Sequence, residues 1–149
     1  MLKKLAKLLS AGSAASAPAF EQHALEHAVA TLLFEMTRMD AEVRAVDLEA
    51  ARAALTDLLK VDSQRGDTLL NEAAQKVGRL SSYFAQVSVI NRRFEMDQRI
   101  RFVEHMWRVA YADGGLDPYE DHLVRKISNL LYVPHVQCML ARQRARGAA

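Results

Sequence analysis

Met36-Thr-Arg-Met-Asp40-Ala-Glu-Val43, running on to Asp47, and Val109-Ala-Tyr-Ala-Asp113-Gly-Gly-Leu116, running on to Glu120, are two versions of one pattern set 73 positions apart. Each is the apolar end of a helix, a short acidic turn and the start of another helix. The likeness extends to where the second helix closes, Leu58-Leu-Lys-Val61 against Leu130-Leu-Tyr-Val133, with one residue deleted between turn and close. A helix pair joined by an acidic turn is therefore the unit from which the fold is built, and it occurs twice.

Working outward, the segment from Phe20 to Met39 contains no proline or glycine. Leu25, Ala28, Val29, Leu32, Leu33 and Met36 recur in it at spacings of three and four, which predicts an amphipathic helix. Leu48, Ala51, Leu55, Leu58 and Leu59 mark a second helix after the first turn. Asp62-Ser63 supplies capping chemistry for a third, whose face is Leu69 or Leu70, Ala73, Val77 and Leu80. Gly78 and Ser81-Ser82 are expected to break it before a helix carrying Tyr83, Phe84, Val87 and Ile90. Asn91-Arg-Arg93 reads as a polar connection to a long helix from about Asp97 to Ala112, with Ile100, Val103, Met106, Trp107 and Ala110 inward. Asp117-Pro-Tyr-Glu120 combines an N-cap acid, proline at N1 and glutamate at N3, a capping-box pattern. It opens a helix with the stripe Leu123, Val124, Ile127, Leu130 and Leu131. No β-branched alternating run is bounded by turn residues. The expectation is an all-α fold of six to seven helices.

At 149 residues, half of them apolar, the chain fits one domain with a real core. No apolar run approaches the roughly 18 residues of a membrane span. The single cysteine, Cys138, has no internal disulfide partner, which fits a reducing, cytoplasmic setting, and its neighbours place it on a helix face as a small core residue. Lys3, Lys4, Lys7, Arg142, Arg144 and Arg146 carry six of the 20 basic residues at the two ends, leaving 14 against all 18 acids between them, a net −4. A mildly acidic body of this kind lacks the clustered basic face that nucleic-acid binding requires.

Residues 1–19 stand apart from a helical domain over 20–149. Lys7 interrupts what would otherwise pass for the apolar stretch of a secretory signal. Residues 1–9, with leucines at 2, 5, 8 and 9, read either as a basic amphipathic helix for peripheral contact with anionic membrane or a partner groove, or as a flexible segment. The first alternative would bring the protein to the inner face of the membrane.

The block Trp107-Arg-Val-Ala-Tyr-Ala-Asp113-Gly-Gly-Leu-Asp-Pro-Tyr-Glu120-Asp-His-Leu-Val-Arg-Lys-Ile127, with Leu130-Leu-Tyr-Val133 and Ala141-Arg-Gln-Arg-Ala145, resembles the TerB-like family associated with tellurite resistance, and within it a small bacterial branch. The resemblance covers about residues 24–145. It implies a compact helical bundle with internal pseudo-twofold symmetry, acidic residues of both repeats near one surface, links to stress responses and protein partners, metal binding, and no enzymatic activity. The family's Asp-Gly-Glu turn is Asp40-Ala41-Glu42 in one copy and Asp113-Gly114-Gly115 in the other, so the second copy lacks the middle acid.

The candidate site is thus Asp40, Glu42, Asp47, Asp113 and Glu120. Carboxylates gathered together need a cation or donors to remain ionised, and oxygen ligands suit a divalent cation such as Ca²⁺ or Mg²⁺. Helix capping competes with this reading at Asp113, Asp117 and Glu120. It does not at the first copy, where Arg44 takes the N-cap position. His23-Ala-Leu-Glu26-His27 has the spacing of a zinc-protease motif, but a solvated helix face accounts for it more simply. His105, His122 and His135 are dispersed and support no ligand spacing. The leading expectation is a non-enzymatic binding or adaptor module of a bacterial stress response that engages a cation or a basic protein partner. The alternatives are a metal-dependent hydrolase built on the same carboxylates, or a purely structural interaction domain.

Overall fold

Seven α-helices and no strand make up the described residues, 2–38, 43–76 and 82–148 of a computed structural model, whose side chains are described from residue 18 to 147. They are α1 (Leu2–Thr37), α2 (Ala45–Leu59), α3 (Ser63–Ala74), α4 (Phe84–Arg93), α5 (Met96–Tyr111), α6 (Pro118–Leu130) and α7 (His135–Ala148). The boundary expected at residue 19 falls within α1, which also contains Pro18. No helix among the described residues is long and apolar enough to cross a membrane.

The core gathers around α1 and α5. Phe102, Val103, Met106, Trp107, Val109 and Ala110 give α5 a wide buried face, and this helix packs on α7, α2, α6 and α1. In α1 every position from Ala28 to Thr37 is buried, not only the expected stripe. An amphipathic face was the wrong expectation here, because α2, α3, α4 and α5 surround this half of the helix and leave it no solvent side. The small residues Ala28 and Ala30 and the short Thr31 suit such close approach.

Local sequence chemistry explains the boundaries. Asp62 caps α3 through the Arg65 N–H at 2.7 Å, as its position predicts. Asn91, Arg92 and Arg93 are not a connection but the last turn of α4, where two guanidinium groups complement the negative end of the helix dipole. The break falls instead at Phe94–Glu95, and Glu95 opens α5 with a reciprocal box: the Gln98 side chain accepts from the Glu95 N–H at 2.9 Å. Phe84 is 76% exposed, since Val87 and Ile90 occupy the buried side of α4. Leu130 likewise ends α6 partly exposed. Val77, Leu80, Gly78 and Ser81 lie outside the described residues.

The two closing sequences share one backbone signature. Lys60 in Leu58-Leu-Lys-Val61 has φ 56° and Tyr132 in Leu130-Leu-Tyr-Val133 has φ 59°, the only non-glycine left-handed residues described. Such a residue ends a helix by turning the chain sharply away. After each turn a new helix begins three residues on, α3 at Ser63 and α7 at His135.

Candidate functional site: the paired acidic turns

The ends of α1 and α5 and the starts of α2 and α6 define the two turns. At the first, Arg38 fixes the end of α1: its Nη2 donates to the Lys76 carbonyl at 2.9 Å, and its guanidinium lies 4.9 Å from the centroid of the Phe34 ring. Arg44 then occupies the N-cap of α2 in extended conformation without a side-chain cap. At the second, Asp117 caps α6 through the Tyr119 N–H at 2.7 Å, followed by Pro118 at N1.

Asp47 and Glu120 hold the same place in their helices, third in α2 and third in α6, and both are buried. An acid in the first turn of a helix faces the positive end of the dipole and its unpaired N–H groups. Glu120 is accordingly buried, and the side-chain cap of α6 runs from Asp117 to the Tyr119 N–H, one residue short of the N3 position expected for a box.

Asp113 is placed differently. Its Oδ1 accepts from the Gly115 N–H at 3.2 Å, closing the turn, while its Oδ2 receives Arg44 Nη1 at 3.4 Å. The guanidinium is 56% exposed and the carboxylate 15%. The residue in the cap position of the first turn therefore reaches across to the acid of the second.

Asp40 and Glu42 lie outside the described residues. Of the five expected site residues, the structure describes Asp47, Asp113 and Glu120. Among the described residues, no group of three or more His, Cys, Asp or Glu side chains is arranged to hold a metal ion. Glu35, buried in α1 just before the first turn, has a carboxylate oxygen without a hydrogen-bond partner and was not singled out by sequence.

Two other polar clusters join residues distant in sequence. On the face carrying His23, Glu26 and His27 the two histidines are solvated as expected, but Glu26 is buried, and Arg65 of α3 grips it with Nε and Nη2, both at 3.4 Å. The two imidazoles stack 5.7 Å apart, and His27 Nδ1 lies 3.5 Å from Glu72. On the α2–α5 face, His105 Nε2 donates to Asp57 Oδ2 at 2.6 Å and Arg101 donates to Oδ1 at 2.6 Å. An ionised carboxylate only accepts, so Nε2 carries the proton.

Burial pushes the His105 pKa below the ordinary 6.5, outweighing the hydrogen bond to Asp57. The hydrogen bond from His105 holds Asp57 below its usual 3.8. The unfolded imidazole thus takes up a proton that the buried one resists, so stability is complete above 6.5 and declines as pH falls from there toward the folded pKa. Asp57 adds a further loss below 3.8, as pH falls through its folded pKa. The urea midpoint should drop between pH 7.5 and 5, and His105→Gln should flatten that slope. A slope unchanged in the variant would assign the acid sensitivity elsewhere.

A family model described as Tellurite resistance protein TerB matches residues 26–143. No curated protein and no solved structure matches the chain.

Proposed function

From its membership of the TerB family, which the match over residues 26–143 shows, we propose that the chain is a non-enzymatic binding module of a bacterial stress response, with its paired acidic turns as the surface that engages a cationic group. That group is a basic side chain of a protein partner or a divalent cation such as Ca²⁺ or Mg²⁺. The observation that carries this reading is the Arg44–Asp113 pair: an exposed guanidinium from one turn already sits on the carboxylate of the other. Such a pair contributes little to stability, because an exposed ion pair nets only about 0–1 kcal/mol. A cation that brings better geometry can therefore displace Arg44 at small cost. The basic segment 1–9 extends the reading to a position at the inner face of the membrane.

Calorimetric titration of the protein with Ca²⁺, with Mg²⁺ and with a short Lys/Arg-rich peptide tests it. Arg44→Ala removes the internal competitor and should raise affinity up to about fivefold, the factor matching an exposed pair of about 0–1 kcal/mol. Combining Asp40→Asn with Asp113→Asn should abolish binding. No heat from any of the three probes, with either the native protein or Arg44→Ala, would sink the proposal.

A further inference from the structure

The second turn has another side. Beyond Asp113, Gly114 and Gly115 line a surface cavity of about 450 Å³ together with Tyr111, Leu116, Arg142 and Arg146. We infer that this cavity, between the Gly114-Gly115 turn and α7, binds a small phosphate-sized oxyanion, either free phosphate or the phosphoryl group of a small monoester.

Arg142 is built into place. Its Nε donates to the Tyr111 hydroxyl at 2.8 Å, and its guanidinium lies 5.5 Å from the centroid of the Trp107 ring, which is fully buried. A guanidinium held through Nε and stacked on an aromatic face keeps its terminal nitrogens for a ligand, and the fork matches a phosphoryl group in geometry. No hydrogen bond engages those terminal nitrogens among the described residues. Arg146 stands one helical turn further along α7, on the same face, and makes no ion pair among the described residues.

The nearby acids among the described residues, Asp113, Asp121 and Glu104, are already engaged. Among the described residues, no carboxylate lines the cavity. Asp121, which Arg142 senses electrostatically, is held by Arg125 Nε at 3.1 Å through both oxygens. Arg44 holds Asp113, and Glu104 binds Arg108 and Arg144. Two cations therefore face a cavity without a resident anion among the described residues.

The difference between the turns has a physical sense here. Gly115 occupies the position that Glu42 holds in the first copy. A Cβ built on Gly115 meets nothing within 4 Å, so a side chain there would extend into open space beside the cavity. The missing middle acid leaves the site room and positive charge.

Nitrogen-15 NMR titration of the full chain with inorganic phosphate, at ionic strength fixed with chloride, reads the site directly. Saturable shifts are expected at the Gly114 and Gly115 amides and at Arg142 Nε–H. Gly115→Glu supplies a competing carboxylate without altering any ligand, at a position with no unfavourable φ, and should weaken binding at least about tenfold. Arg146→Gln, on an exposed residue, should weaken it several-fold while the spectrum stays that of the folded protein. Phenyl phosphate distinguishes the sources: tighter binding than phosphate, with shifts at Leu116, assigns a monoester, and equal or weaker binding assigns the free ion. Shifts that fail to saturate, or titrations in Gly115→Glu and Arg146→Gln that match the native protein, would overturn the inference.

Discussion

Trp107→Ala is expected to destabilise the fold by about 3–5 kcal/mol, the range for deleting a large buried aromatic side chain. Trp107 is fully buried in α5 and is the chain's single tryptophan. Its indole Nε1 donates to the Cys138 carbonyl of α7 at 3.1 Å. Tyr111 packs with ring centroids 6.4 Å away, and Arg142 covers the ring. Truncation leaves a cavity against the helix with which α5 shares its most extensive interface, and it also removes a buried hydrogen bond. Trp107→Phe largely separates the two effects, since it keeps most of the volume while removing the donor, at about 1–2 kcal/mol. Urea denaturation followed by far-ultraviolet circular dichroism reads both. A loss below about 1 kcal/mol for the alanine variant would mean that α7 collapses onto the vacated space, contrary to a close-packed interface.

Arg65→Met should be the second large loss, about 2–4 kcal/mol. Removing one member of a buried ion pair costs roughly 3–5 kcal/mol because the other charge remains desolvated, and the partial exposure of Arg65 reduces this. Here Glu26 is the stranded charge: its side chain is 9% exposed, and both its oxygens receive Arg65. His23 Nδ1 stands 4.0 Å away, too far for a replacement hydrogen bond. Adding Glu26→Gln to Arg65→Met neutralises that charge and should restore more than half of the loss. If the double variant is as unstable as the single one, packing of the Arg65 stem, and not the buried charge, is what matters at the α1–α3 contact.

Local chemistry is legible in this sequence, and long-range packing is not. Helix caps were legible: Asp62 and Asp117 each bind an N–H two or three residues away, so a short window of sequence contains both partners. The buried stripes of α5 and α6, apart from the partly exposed Ile100 and Leu130, were legible for the same reason. The burial of α1 on all sides was not, because periodicity records the character of residues and not how many neighbours surround a helix. The Glu95–Gln98 box had a usable signal in its three-residue spacing, although glutamate is a less usual N-cap. Asp57 with His105, and Arg44 with Asp113, join residues 48 and 69 positions apart, and no local rule links them. For the site, sequence located the two turns and nominated their acids. It did not reveal that Asp113 faces a guanidinium, that Asp47 and Glu120 are buried, or that the glycine side of the second turn meets α7.

The position of Arg44 has one more consequence. In the second half of the chain the corresponding residue, Asp117, serves its own helix; in the first half that duty is given up for a bond to the other half. Together with the packing of α2 on α5, this means that the seam between the halves runs through the interior, with polar ties at its rim. Neither half closes a core of its own. The duplicated pattern in the sequence therefore does not correspond to two units of stability, and loss of structure in one half withdraws support from the other, so the chain should unfold as one cooperative body.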